Sequence, residues 1–194
     1  MTQLPPFLQS ERLHLRALTE ADADGAYVEW FNDEKVCRGN SHHVFPFTRE
    51  AALEYICRVR EARDQLVLAI VLRADERHIG NIALQNIHPI YRAAEFSIVL
   101  GDKTLWGQRY SQEAGRLLCA HGFDELNLHR IYCGTFADNM AMQKLALGLG
   151  MREEGRRREA AFKHGRFLDV VEYGMVKADF DVARQRWRKD LPKE

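Results

Sequence analysis

Residues 94–115 read AEFSIVLGDKTLWGQRYSQEAG. An apolar run of strand length, Ala94 to Leu100, ends at Gly101-Asp102. Gly107, Gln108 and Arg109 follow Trp106, and from Ser111 the spacing turns helical, with Ala114, Leu117, Leu118 and Phe123 on one face. A strand that feeds a glycine-bearing turn and then a helix N-terminus is a place where an anion can sit. The same letters also suit an ordinary turn into an amphipathic helix. The rest of the chain decides between the two.

Upstream, Leu13 to Leu18 alternates apolar with polar and predicts a first strand after an arm of residues 1–10. Thr19 with Asp22 three residues on predicts an N-terminal cap and a helix to about Trp30 or Phe31. FNDEKVCRGNSHHVFPFT then carries Asn, Asp, Gly and Pro with little periodicity. It predicts a long loop with room for one short helical turn. Leu53, Ile56 and Val59 recur at helical spacing after Thr48. Leu66 to Leu72 is a continuous apolar run, read as a buried strand, and His78 to Ile87 returns as its hairpin partner.

Downstream, Leu128 to Phe136 alternates as a strand. Asp138 and Asn139 cap a helix that Gly150 ends. Two more strands, around Glu153 to Phe162 and Leu168 to Val176, are split by His164-Gly165, and a charged helix carrying Phe180, Ala183 and Trp187 occupies residues 178–194. Hairpins mixed with strand–helix–strand units predict an α/β (α+β) fold: one mixed sheet of about seven strands flanked by helices, in a single domain.

Composition narrows the function. The chain has 194 residues, 46% hydrophobic and 29% charged, which suits one substantial core. Lys plus Arg and Asp plus Glu number 28 each, so bulk charge gives no footprint for nucleic acid. No stretch reaches the roughly 18 uninterrupted apolar residues of a membrane span. The N-terminus lacks a basic segment followed by an apolar one, so a cytoplasmic location is expected. Cys37, Cys57, Cys119 and Cys133 form no CxxC pair and no zinc-like spacing with histidine; free, mostly buried thiols and no metal are expected.

Four strings, SERLHLRAL, YRAAEFSIVL, LWGQRYSQEA and NLHRIYCGTFADNMAMQKLALGLGM, together with the element order, resemble the GNAT superfamily of acyl-CoA N-acyltransferases. The branch is the one holding ribosomal-protein N-terminal acetyltransferases, spermidine N-acetyltransferases and acyltransferases of nucleotide-linked amino sugars. The resemblance covers roughly Glu11 to Lys177. It implies a mostly antiparallel sheet and acetyl-CoA, or another short acyl-CoA, as co-substrate. It implies that the backbone of Gly107, Gln108, Arg109, Tyr110 and Ser111 cradles the diphosphate, and that the strand backbone at Ile98, Val99 and Leu100 holds the pantetheine arm. Asn139 matches a family asparagine on that arm and equally suits a helix cap, and Lys144 lies on the same helix. The chain departs from the pattern at Trp106, where Gln or Arg is usual, and at Arg109, where glycine is usual. Ala146 stands where many relatives place a tyrosine that protonates the leaving thiolate.

Glu95 is the candidate catalytic carboxylate, since a charge is unexpected in AEFSIVL and relatives carry Glu there as a proposed base; a solvent-facing pairing fits it too. The acceptor side gathers Trp30, Asn32, Arg38, His42, His43, Phe47, Tyr91 and Glu172 as candidates. Basic residues and aromatics in residues 30–49 suit a polar ring with a phosphate tail, so a nucleotide-linked amino sugar is the expected small-molecule amine. A polyamine, a protein N-terminus, and a GNAT-like sensor with impaired catalysis stay open. No nucleic-acid or membrane partner is expected, and edge strands near the C-terminus suit a homodimer.

Overall fold

The computed structural model describes residues 5–189. Eight strands form one sheet: β1 (Leu8–Gln9), β2 (Leu13–Ala17), β3 (Leu66–Leu72), β4 (His78–His88), β5 (Ala93–Leu100), β6 (Arg130–Phe136), β7 (Arg152–Lys163) and β8 (Arg166–Val176). Their order is β1-β2-β3-β4-β5-β6-β8-β7, antiparallel throughout except for the parallel pair β5–β6. The helices are α1 (Ala26–Asn32), α2 (Glu34–Cys37), α3 (Arg49–Glu61), α4 (Tyr110–Asp124), α5 (Met140–Leu149) and α6 (Lys177–Lys189).

β3 shows why an unbroken apolar run suits this sheet. Leu68, Ile70 and Leu72 point to the face covered by α4, α5 and α6, where they meet Phe96, Leu118 and Phe180. Val67, Ala69 and Val71 point to the face covered by α1 and α3, where they meet Tyr27, Trp30 and Ile56. A strand buried on both faces has no polar positions to alternate. At about 25 cal/mol per Å², such burial is the main force holding the sheet.

The structure corrects several expectations. The sheet has eight strands rather than about seven, because the arm contributes β1, with Leu8 opposite Leu15. Asp22 does reach back to the Thr19 N–H (2.7 Å), but the segment it opens is a 3-10 turn, Glu20–Asp24. Gly25, extended at φ −100°, ψ −165°, separates that turn from α1. The loop after α1 does hold the short helical turn expected there, α2, capped by Asp33, whose carboxylate accepts from the Lys35 and Val36 N–H groups. The last helix starts at Lys177, and the part of the 178–194 expectation beyond residue 189 lies outside the described residues, as do residues 1–4 of the arm. Among the described residues, no helix is long and apolar enough to cross a membrane.

Candidate active site

β5 and β6 pair only at Ala93–Arg130, Ala94–Ile131 and Glu95–Tyr132. Beyond Glu95, β5 continues to pair with β4 alone, and β6 beyond Tyr132 with β8 alone. The two parallel strands diverge into a cleft, and the β5 edge there keeps backbone groups, at Ile98 and Leu100, that no strand takes up.

Each arm of the cleft leads into a helix. After β5, Gly101 packs flat beneath Trp30; a Cβ there would come within 1.9 Å of the indole ring. Trp106 Nε1 donates to the Leu100 carbonyl (2.8 Å), folding the chain back. Gly107 takes φ +80° and Arg109 takes φ 65°, ψ 13°, which turns the chain into α4. The first N–H groups of α4, at Tyr110 and Ser111, have no intrahelical acceptor and carry the positive end of the helix dipole. The space above Gly107 is open. Arg109 is exposed and makes no ion pair among the described residues. A diphosphate fits this turn.

A brace absent from the sequence reading holds the turn in place. Arg12 pairs with Glu113 (2.6 Å), donates to the Gln108 carbonyl (3.2 Å), and lies over the Tyr110 ring (4.3 Å). Ser10 Oγ donates to the same Glu113 carboxylate (2.7 Å). Arg12 and Glu113 are 101 residues apart, so no local pattern links them.

The other arm leads from β6 to α5. Asn139 caps α5, its Oδ1 accepting from the Met142 N–H (3.1 Å), and its Nδ2 donates to the Gly39 carbonyl (2.9 Å). Both ends of the amide are thus engaged within the chain. Lys144 is exposed on α5, and Ala146 is fully buried, so no hydroxyl comes from that position.

Glu95 closes the cleft at its base and accepts from Asn86 Nδ2 (3.0 Å). Tyr132 stands beside it, and Glu172 lies over Gly134, two residues further along β6. Burial first, then the charge of Glu95, and to a lesser degree that of Glu172, push the Tyr132 phenol up, against the opposing effect of Arg130. Glu172 is half-buried and pairs with Arg157 (2.6 Å). The face that α1 and α3 cover at β3 and β4 therefore carries two carboxylates and a phenol at β5, β6 and β8.

The acceptor-side residues divide. Asn32 clamps the Phe47 backbone by donating to its carbonyl (2.6 Å) and accepting from its N–H (2.9 Å). The Phe47 ring meets Phe31 (5.1 Å), and His42 sits edge-on to Phe31 (4.3 Å). Although His42 is exposed as a residue, desolvation of its ring and then the Lys163 charge hold it below the ordinary histidine value. Buried Lys163 donates to the His42 carbonyl. His43 is exposed at φ 62°, and Arg38 is exposed without an ion pair among the described residues. Residues 41–47 and Phe31 line a cavity of about 200 Å³. Trp30 is buried against β5 rather than open to a ligand. Tyr91 stacks on His88 (4.1 Å) in the β4–β5 turn, at the opposite end of β5 from the cradle. It does not join the others.

Segment 33–43 bridges the cleft. Asp33 pairs with Lys103, which follows β5, and Gly39 is held by Asn139, which follows β6. Among the described residues, no group of three or more His, Cys, Asp or Glu side chains could hold a metal ion.

Diverging parallel strands with a helix N-terminus beside them are the arrangement expected from the resemblance to acyl-CoA N-acyltransferases. The description "Acetyltransferase (GNAT) domain" matches residues 12–152, and the chain belongs to that family, as an acyl-CoA-dependent N-acyltransferase. It is 27% identical over 186 residues to a Bacillus licheniformis protein named "Uncharacterized N-acetyltransferase p20", covering 89% of this chain and 97% of that one. It is 32% identical over 101 residues to the spermidine N(1)-acetyltransferase of Vibrio cholerae serotype O1, covering 52% and 58%. The crystal structure of spermidine N-acetyltransferase from Vibrio cholerae in complex with CoA and spermine shares the fold, with a TM-score of 0.79 at 22% identity over 87% of this chain and 97% of that one.

Proposed function

We propose that this chain transfers an acetyl group from acetyl-CoA directly to a primary amine on a small molecule. Glu95, at the last paired register before β5 and β6 diverge, carries the reading. Acetyl-CoA supplies the activated acyl group. The α4 N-terminus with Gly107, Gln108, Arg109, Tyr110 and Ser111 holds the diphosphate. The β5 backbone at Ile98, Val99 and Leu100 orients the thioester, and the Glu95 carboxylate takes the proton of the attacking amine. With Ala146 in place of a hydroxyl, the leaving thiolate takes its proton from water or from Tyr110.

The acceptor carries an anionic group, and a nucleotide-linked amino sugar is the class. Arg38, exposed and without an ion pair among the described residues, supports this on the bridging segment. A polyamine is the second reading. It is favoured by Glu95 and Glu172 on either side of Tyr132, and by the relative named as a spermidine acetyltransferase.

The test is acceptor-dependent release of the coenzyme A thiol, run against nucleotide-linked amino sugars and against spermidine. Turnover with the first class and not the second is expected. Glu95→Gln should lower kcat by roughly 10²–10⁴-fold with acetyl-CoA affinity unchanged. Tight acetyl-CoA binding with no acceptor-dependent release from any amine would favour a sensing role instead.

A further inference from the structure

Lys163 is the last residue of β7 and is 7% exposed. Its ammonium donates to the His42 carbonyl and makes no ion pair among the described residues. An ammonium carries three donors, and a carbonyl neutralises none of its charge. Burying a charge without a counter-charge is costly, so such groups are ordinarily paired. The carboxylates of the surrounding elements are already committed: Asp33 pairs with Lys103, Asp138 with Arg166, and Asp169 with Arg156. Cys37 and His42, on which the Lys163 charge acts, are neutral near pH 7. Burial pushes the Cys37 thiol up against the pull of Lys163, and its Sγ donates to the Trp30 carbonyl (3.3 Å). Burial, then the Lys163 charge, lowers His42. The ammonium is therefore unbalanced.

The face on which Lys163 lies gives that charge a use. Lys163 stands two residues from Ala161, which opposes Leu168, and Val170 opposes Phe136, so all five share one face of the sheet. Phe136, Leu168 and Val170 form an apolar cluster with Ala161. Glu172 continues the same face opposite Gly134, and Glu95 joins it opposite Tyr132. One face thus runs from the carboxylates at the base of the cleft, over an apolar patch, to Lys163 at the end of the hairpin. Arg166 is the register partner of Lys163, and from Glu172 to Arg166 is about 20 Å of strand, shortened by the reach of the lysine chain. The segment carrying Arg38 crosses that basic end, because His42 both accepts from Lys163 and lines the cavity of about 200 Å³ with Phe31 and Phe47. A compact amine meets one end of this face. An acceptor whose amine and anion stand well apart meets both.

We infer that Lys163 is the anion anchor of the acceptor site and takes a phosphate of a nucleotide-linked amino sugar whose amine lies at Glu95. The inference rests on the acceptor reading above and names the residue that selects that class. Two acceptors test it on the full chain: a nucleotide-linked amino sugar, and the same sugar without its nucleotide and phosphates. Lys163→Met keeps the length of the side chain and removes the charge. It should lower the ratio of kcat/KM for the first acceptor over the second by about 10–100-fold, chiefly through the KM of the first. A lysine that only ties the loop down would lower both values alike, and an unchanged ratio would overturn the inference. Inorganic pyrophosphate, titrated calorimetrically into protein saturated with coenzyme A, gives a readout independent of transfer. The wild type should bind it and Lys163→Met should not; equal binding by the two, or none by the wild type, contradicts the anchor. Pyrophosphate binding that depends on Lys163, with no turnover of either sugar, would support the anion site and remove the acceptor reading alone. Unchanged circular dichroism and acetyl-CoA affinity verify that the variant folds.

Discussion

At the scale of single residues, Arg109 sets a cost against a gain. Its φ of 65° lies in the left-handed region, where a residue with a Cβ loses about 1 kcal/mol. The sequence shows an arginine where the family pattern carries glycine, which leaves open whether the turn keeps its path. The structure keeps the path and bears the strain. A guanidinium beside a diphosphate contributes about 1.5–3 kcal/mol through charge-assisted hydrogen bonds. The gain is larger than the cost, so Arg109→Gly should stabilise the free protein by about 1 kcal/mol in denaturant unfolding. It should weaken acetyl-CoA roughly tenfold in calorimetric titration. Tighter binding by the glycine variant would show that the side chain obstructs the cradle. Gly107 was readable at this scale, because a glycine before a helix announces a positive φ; Arg109 was not.

At the scale of elements, the 3-10 turn Glu20–Asp24 is pinned by an ion-pair cluster. Asp22 is 6% exposed, bonded by both Arg16 nitrogens (2.7 and 2.8 Å) and lying 3.2 Å from His78 Nδ1. Burial alone would raise the Asp22 carboxyl. The hydrogen bonds from Arg16 and His78, with the His78 charge and the Thr19 N–H, outweigh it and hold the carboxyl well below the usual range. A carboxylate depressed in the folded state stabilises fully above its unfolded value near 3.9, and that stability drains as pH falls below it. Asp22→Asn leaves the half-buried Arg16 without its counter-charge and should cost about 3 kcal/mol at neutral pH. The gap between the urea midpoints of wild type and variant should begin to narrow below about pH 4 and shrink progressively with further acidification; a gap constant with pH would show that the Asp22 charge contributes nothing. Thr19 and Asp22 read as a cap in the sequence, and Asp22 does bond Thr19. Its larger role depends on His78, which reaches it only when β4 packs against this turn. β1 was illegible for another reason: two residues hold no period.

At the scale of the whole molecule, the mixed sheet followed from strands that read by alternation or unbroken apolarity, and from helices that read by their caps. The parallel β5–β6 step was not legible, because periodicity does not state which strands pair. What joins the cleft to its surroundings was hidden: Arg12 to Glu113, Gly39 to Asn139 and His42 to Lys163 each link residues about 100 or more positions apart. The cysteines test the assembled packing as a whole. Cys37, Cys119 and Cys133 are buried and Cys57 is exposed on α3. Burial, with the charges of Glu172 and Glu95, pushes the Cys133 thiol up to about 12; burial and neighbouring Cys133 push Cys119 up, and burial raises Cys37. Only a thiolate attacks a disulfide reagent. An aromatic disulfide reagent should therefore find one fast thiol per chain, with the remaining three reacting at the rate of global unfolding. Cys57→Ala should abolish the fast phase and leave acyl transfer intact, since the proposed direct transfer uses no cysteine carrier. Two or more fast thiols would mean that the helices over β6 do not seal the sheet, and lost transfer in Cys57→Ala would argue for an acyl-cysteine.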